Sequence, residues 1–586
     1  MQIIQKKIKN NHQVITGVHP VLQRIYALRG INSKEELDNS FNSLLPFLDF
    51  KDIDKACVRL ERALLNDENI LIIGDFDVDG ATSTALAVSA LKTFGANRVQ
   101  YLVPNRFEYG YGLTPAIVQV AKKMQPDLII TVDNGIASID GVSLANELQI
   151  DVLITDHHLP ADELPDACAI VNPNQKNCRF LSKSIAGVGV IFYIMLALRR
   201  HLANKQWFEN NNQPLPNMGQ FLDLVALGTV ADVVSLDQNN RILVSQGLQR
   251  IKNGQSRPGI QALLEVAKRD YSSLQASDLG FAIAPRLNAA GRLDDMSLGI
   301  ECLLSQDLAI ARKLASQLDE LNIERRKIEN EMKDQANLVL NKLVLDSNSH
   351  LPLGLCLVDP VWHQGVIGIL AGRLKEKYHR PTIIFAVIDD KELKGSARSV
   401  SGLNIRDILA LIDKDNPGLI TKFGGHAMAA GLTLPIKSFD RFRSEFIKEV
   451  ENNLDLASCA GDIYSDGSLS EIDLDLDLAN IIAESGPWGS FFPEPQFDNI
   501  FEILDQKIVG KNHLKLTLTL FGGDKVVEAI AFNIDLNIWP NNRISYIHAL
   551  YKLGINQYQG RKKLQIVIDN LLILPDNFKN NPGKSS

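Results

Sequence analysis

The chain has 586 residues, 45% of them hydrophobic and 22% charged, with a formal net charge of −8. At roughly 150 residues per domain it is too long for one core and implies about three or four, and its ordinary globular proportions indicate neither wholesale disorder nor a membrane protein. The acidic balance excludes a generally basic nucleic-acid binder, so any basic groove has to be local. Residues 1 to 50 carry short helical segments broken at Pro20 and Pro46 and are expected to cap the domain that begins after them. No long apolar stretch follows Met1, so no secretory signal is expected and a cytoplasmic location is the default. The six cysteines contain no C-x-x-C pair, which fits reduced packing thiols.

From residue 51 the chain alternates helix and strand. A helix over 52–65 leads to a four-residue apolar strand at 70–73, a crossover helix over 81–94 closes at Gly95, and the next strand lies at 99–103. Further apolar runs at 128–132, 152–155 and 169–171 complete the pattern of a mostly parallel, doubly wound sheet, in which ligands bind beyond the carboxyl ends of the strands. Those ends carry the chemistry. Asp75, Asp77 and Asp79 follow the first strand at alternate positions, Asp133 ends the strand at 128–132, and Asp156, His157 and His158 end the one at 152–155. Alternating acids on an extended segment point one way and repel strongly unless a cation or protons intervene. The stretch from 185 to 198 reads as a buried helix too short to span a membrane, and a second apolar helix over 221–231 runs into Asp232. Carboxylates and imidazoles from four segments make an oxygen and nitrogen set suited to Mn²⁺, Mg²⁺, Co²⁺ or Zn²⁺, and two ions can share one carboxylate. Taken singly, each acid is better explained as a cap or turn residue than as a ligand. Four coincident strand-end signals are not.

Residues 284–293 mix turn formers with Arg286, Asn288 and Arg292, a stretch that can present phosphate-binding groups or serve as an interdomain loop. From 300 to 351 there is neither Gly nor Pro, and helical apolar spacing predicts one long helix bridging two domains, with Glu324 to Lys327 on a solvated face. A second α/β unit over 352–455 has strands near 353–358 and 382–387 and three polar segments rich in small residues. These contain Gly368, then Ser396 and Arg398, then Gly424, Gly425 and His426. Small residues let amides approach phosphate oxygens, Arg398 can clamp one bidentately, and His426 can donate to another. The tail from 456 to 575 holds five short β-rich runs, as a small Greek-key barrel of OB type requires. Lys507, Lys511, Lys515, Lys525, Lys552, Arg561, Lys562 and Lys563 interleave there with Phe521, Tyr551 and Tyr558, a mixture suited to single strands. The polar residues from 576 to 586 are expected to be disordered.

In order, Asp75-Phe76-Asp77-Val78-Asp79-Gly80, Asp133-Asn134-Gly135, Asp156-His157-His158 and Gly228-Thr229-Val230-Ala231-Asp232 resemble the four motifs of the DHH phosphoesterase family. That group includes manganese-dependent pyrophosphatases, oligonucleotide-degrading phosphodiesterases and single-strand-specific 5′ exonucleases. The resemblance implies a multidomain α/β protein: an N-terminal cap over 1–50, a parallel-sheet DHH domain and connecting region over 51–299, and an interdomain long helix over 300–351. A DHHA1 substrate-binding domain over 352–455 and an OB-fold nucleic-acid-binding domain over 456–575 complete the chain. Full length and the OB-like tail single out the exonuclease branch, and so imply removal of nucleotides from the 5′ end of single-stranded DNA by two-metal hydrolysis, in DNA repair and recombination. The resemblance further implies two Mn²⁺ or Mg²⁺ ions, one on Asp79, Asp133, His157 and Asp232 and the other on Asp77 and Asp133 with Asp75, so that Asp133 bridges. His158 would touch the scissile phosphate, help the leaving group, or orient a neighbour. Arg106, Ser396 and Arg398 map onto a pocket for the terminal phosphate, with Tyr111 stacking on a nearby base. The implied partners are single-stranded DNA, a single-strand-binding protein and a RecQ-type helicase, with no membrane and a monomeric state. The alternatives are a phosphodiesterase acting on short oligonucleotides or cyclic dinucleotides, and a non-catalytic binding protein of the same fold.

Overall fold

The computed structural model describes residues 2–8, 13–105, 109, 112–346, 351–454, 462–534, 539, 544–558 and 560–575. Arg106, Tyr111 and the tail expected to be disordered lie outside the described residues. The chain divides into two compact units. One is built from Ile3–Ala284, Gly299–Arg312 and the chain from Ile463 onward, and the other mainly from Pro285–Leu298 and Lys313–Asp462.

The first unit opens with a short strand, β1 (Ile3–Gln5), and the helix Pro20–Leu28. Its main sheet comprises β2 (Ile70–Ile73), β3 (Val99–Leu102), β4 (Leu128–Val132), β5 (Asp151–Thr155) and β6 (Ala169–Val171), ordered β3-β2-β4-β5-β6 with every pair parallel. Side chains alternate between its faces. Leu71, Ile73, Ile129, Val152 and Ile154 bury against helices Pro115–Lys122 and Ile139–Glu147. Ile70, Ile72, Ile130 and Leu153 are buried on the other face, where Val78–Thr93 and Gly187–Asn204 pack. Covering both faces requires uninterrupted apolar strands, and each fully buried Ile or Leu contributes about 1.5–3 kcal/mol. The buried helix expected at 185–198 is the second of these packing helices.

The second unit contains β7 (Leu355–Val358), β8 (Thr382–Val387), β9 (Glu392–Arg398), β10 (Lys422–His426) and β11 (Ala429–Pro435), ordered β10-β11-β9-β8-β7, with only β7 and β8 parallel. The helix expected over 300–351 is two helices, Ser297–Leu304 and Leu308–Asp346. The break is a cap: Asp307 Oδ1 accepts from the amides of Ala309 and Ile310 at 2.7 and 3.1 Å, and its carbonyl accepts from the Ser305 hydroxyl. Within the long helix Arg325 is buried, not on a solvated face, and pairs with Glu329 at 2.8 Å. The turn formers at 284–293 form a helix, Ala284–Leu293, entered through a π-helical turn at Leu279–Ile283.

Back in the first unit, β12 (Ile463–Ser465) pairs in parallel with β1, and β13 (Phe497–Val509), β14 (His513–Leu520), β15 (Val526–Ala531), β16 (Tyr546–Tyr558) and β17 (Arg561–Leu574) close a barrel. The order β13-β14-β15-β17-β16, with β15 parallel to β17, is the closure of an OB fold. The residues expected only to cap the fold are therefore stitched to the barrel end of the chain. Asp466, 1% exposed, receives both terminal nitrogens of Arg29 at 2.7 Å, Lys6 at 3.1 Å and the Gln496 amide at 3.0 Å. Tyr551, expected to stack on bases, is fully buried and donates to Asn499 Oδ1 at 2.7 Å, so it serves the barrel core. Three of the expected groove cations are also engaged, Lys515 with Glu528 at 2.8 Å, Lys552 with Glu494 at 3.0 Å and Lys525 with the Glu471 carbonyl at 3.0 Å.

Candidate active site

The chain leaves β2 for β3 on one side while β4 lies on the other, so β2 and β4 flank the point where strand order reverses. A crevice forms there beyond the carboxyl ends. Asp75, Asp77 and Asp79 follow β2, with Asp77 capping Val78–Thr93 by accepting from the Gly80 amide at 3.0 Å. Asp133 follows β4 with φ 61°, a left-handed conformation that aspartate tolerates better than most residues and that re-aims its carboxylate. Asn134 fixes that corner by donating to the carbonyls of Ile73 and Val132 at 3.1 and 2.9 Å. His157 and His158 follow β5, and Asp232 caps the carboxyl end of helix Leu222–Ala231.

These groups meet. His157 Nε2 lies 3.0 Å from Asp133 Oδ1, 3.5 Å from Asp232 Oδ2 and 3.9 Å from Asp79 Oδ2. Potential ligand atoms fall within 4.8 Å of one another in three overlapping trios: Asp75, Asp77 and Asp133; Asp79, His157 and Asp232; Asp133, His157 and His158. Asp79 is held from behind by the amides of Gly187 and Val188 at 2.6 and 2.9 Å. Asp156 accepts from the amides of Ile136, His157 and His158 at 2.9, 2.7 and 3.1 Å and from His158 Nδ1 at 2.7 Å, so this acid orients the His158 imidazole. Its position at a strand end was the only trace of that role in the sequence, and the amides at 187 and 188 left none.

Burial first, then the neighbouring carboxylates, pushes the Asp79 carboxyl up to about 7 and those of Asp133 and Asp232 well above the carboxylate range. Asp232 Oδ2 is buried and accepts no hydrogen bond from the described residues. Crowded, buried acids with imidazole alongside fit a hard divalent cation, which removes the repulsion that would otherwise hold protons on them. Mn²⁺ is therefore expected to raise the melting temperature, by an increment worth about 2.7 kcal/mol at one hundred times Kd. Thermal unfolding with and without Mn²⁺, and after chelation, checks this; an unmoved midpoint would rule out metal binding to the folded state.

Four of the expected substrate-binding residues of the second unit share one face of its sheet. Ser396 on β9 is in register with Gly431 on β11 and Gly424 on β10, and Arg398 with Ala429 and His426. Two-residue spacing puts Ser396, Arg398, Gly424 and His426 on one face, whereas Gly425, opposite Ala430 and the buried Ala397, is out of phase. Arg398 donates to Ser396 Oγ at 3.3 Å and to the Ala397 carbonyl at 2.8 Å. Helix Ala284–Leu293 carries Arg286, paired with Asp319 at 2.8 Å, the half-buried Asn288, and Arg292, which donates to the Gly365 carbonyl at 3.1 Å.

Sheet topology and the convergence of acids with imidazoles define the DHH class, and the profile of the DHH family N-terminal domain matches residues 69–229. The DHHA1 domain matches 352–452 and the RecJ OB domain 465–570. The single-stranded-DNA-specific exonuclease RecJ of Salmonella typhimurium is 50% identical over 570 residues, covering 97% of this chain and 99% of that protein. The same-named protein of Escherichia coli is 49% identical over 571 residues, with the same shares. The crystal structure of RecJ in complex with Mn²⁺ from Thermus thermophilus is similar with a TM-score of 0.76 at 27% identity, covering 96% of this chain and 80% of that one. The chain belongs to the RecJ family.

Proposed function

We propose that the protein is a single-strand-specific exonuclease that removes 5′-mononucleotides from the 5′ end of DNA by two-metal hydrolysis, in repair and recombination. The observation carrying this reading is the place of Asp133, which forms one trio with Asp75 and Asp77 and lies 3.0 Å from His157 of the Asp79, His157 and Asp232 trio, as suits a pair of ions about one bridging carboxylate. Asp79, Asp133, His157 and Asp232 would hold one ion, and Asp77 and Asp133 with Asp75 the other. Bound there, Mn²⁺ or Mg²⁺ supplies an acidified attacking water and neutralises charge on the phosphate and leaving oxygen. His158 acts beside them. Burial opposes its protonation, but the hydrogen bond to Asp156, with Asp75 and Asp77 nearby, raises its pKa, favouring an imidazolium that donates to a phosphate oxygen. Asp156 keeps the Nδ1 proton in place and so fixes the ring's orientation.

Direction needs a pocket that only a terminal phosphate enters. Arg106, Ser396 and Arg398 are assigned to recognising the terminal phosphate and Tyr111 to stacking on a base, while Arg286, Asn288, Arg292, Gly424, Gly425 and His426 would contact the backbone. The barrel would track the strand beyond. No helix among the described residues is long and apolar enough to cross a membrane. A cytoplasmic monomer, working with a single-strand-binding protein and a RecQ-type helicase, belongs to the same reading.

The test is Mn²⁺-dependent degradation of a long single strand labelled separately at each end. The 5′ label should appear first, as mononucleotide. Earlier release of the 3′ label would reverse the polarity, and cutting of short oligomers alone would favour a short-oligonucleotide phosphodiesterase.

A further inference from the structure

Resting on the two-ion reading, we infer that Gly187, at the first turn of helix Gly187–Asn204, is a positioning residue that sets where Asp79 and Asp133 stand and hence how tightly the ions bind. Its amide donates to Asp79 Oδ2 at 2.6 Å, and the next amide, Val188, donates to Oδ1 at 2.9 Å. Both oxygens of one candidate ligand are thus fixed by backbone at a helix N-terminus, whose partial positive charge favours the carboxylate. The same residue borders the second ligand. A Cβ at position 187 would lie 2.7 Å from Asp133 Cβ and 2.8 Å from its Oδ1, closer than side-chain carbons come. Asp133 has little freedom to yield, being 2% exposed and held at a left-handed φ. Glycine at 187 therefore does two things at once: it donates to Asp79 and leaves the room that Asp133 occupies.

Gly189, two residues further on, supplies the matched comparison. The three atoms nearest to a Cβ there all belong to Ile185, at 2.5, 2.8 and 3.9 Å, and none is an acid. Gly187→Ala and Gly189→Ala thus place the same methyl in the same helical turn, one against a ligand and the other against the core.

Calorimetric titration of the full chain with Mn²⁺, alongside the electron paramagnetic resonance of the bound ions, decides the matter. Gly187→Ala should weaken Mn²⁺ binding by about 10- to 100-fold and alter the spectrum, as loss of a supporting contact to a ligand does. Gly189→Ala should bind Mn²⁺ as the wild type does, whatever it does to the melting temperature. Equal loss in both variants, or unchanged affinity in Gly187→Ala, overturns the inference. A wild type that takes up one ion instead of two would defeat the two-ion reading alone, leaving the contrast between the variants to be read on that ion. If Gly187→Ala does not fold, hydrogen exchange in the wild type serves instead. Amides of 187 and 188 should exchange more slowly with Mg²⁺ while the helix beyond 198 stays unchanged, and no slowing at 187 and 188 overturns the claim.

Discussion

Asp133→Asn is expected to abolish Mn²⁺-dependent hydrolysis, lowering kcat by about 10³-fold or more, a barrier increase of about 4 kcal/mol. Asparagine is the informative replacement because position 133 has φ 61°, which asparagine adopts as readily as aspartate and alanine does not. The effect is then that of removing a charge from both ligand trios that share it. Stability should move the other way. Burial, then Asp79 and the other acids, raises the carboxyl's pKa in the folded state, so its stabilising contribution is fully present below the unfolded value and is lost as pH rises through the raised one. At neutral pH, without metal, the variant should therefore melt higher than the wild type; with saturating Mn²⁺ that advantage should disappear. A variant that is both inactive and less stable without metal would assign Asp133 to the scaffold.

Asp466→Asn is expected to cost about 3–5 kcal/mol of stability, because it leaves the guanidinium of Arg29, only 3% exposed, without its counter-charge. Burial alone would raise the Asp466 pKa, but Arg29, the Gln496 amide and Lys6 outweigh it and hold it below the ordinary value. The sign follows: this stabilisation is complete above the unfolded carboxyl pKa, about 3.9, and is lost as pH falls through the depressed folded value. Chemical denaturation at pH 7 and in the acid limb should show a gap between wild type and variant that narrows only in acid. A gap below about 1 kcal/mol at pH 7 would place the pair among those that contribute little.

The convergence of Asp75, Asp77, Asp79, Asp133, His157 and Asp232 was legible because each follows an apolar run at the end of a strand or helix, where order in sequence becomes proximity in space. What supports it was not. The amides at 187 and 188 belong to a helix more than a hundred residues after Asp79, and nothing in side-chain type marks a backbone donor. The row Ser396, Gly431 and Gly424 exists only once strands pair out of sequence order. Tyr551 was misplaced because β16 buries Leu550 and Tyr551 in succession where its register shifts, so no simple inward period of two marks the ring as core. The start of the long helix at Leu308 was also in plain view, as the Ser and Asp at 305 and 307 that end one helix and cap the next.

The parallel pairing of β1 with β12 carries a consequence for biosynthesis. Ile3 meets Ile463, a partner made 460 residues later. At ribosomal rates of roughly 5–20 residues per second, the amino-terminal strand waits between about 20 and 90 seconds for its neighbour to be translated. Until then its amides and carbonyls are an open template, and nascent chains on one messenger can offer each other the same edge. Chaperone occupancy of β1 during translation, or entanglement of chains on crowded polysomes, is the exposure this pairing creates.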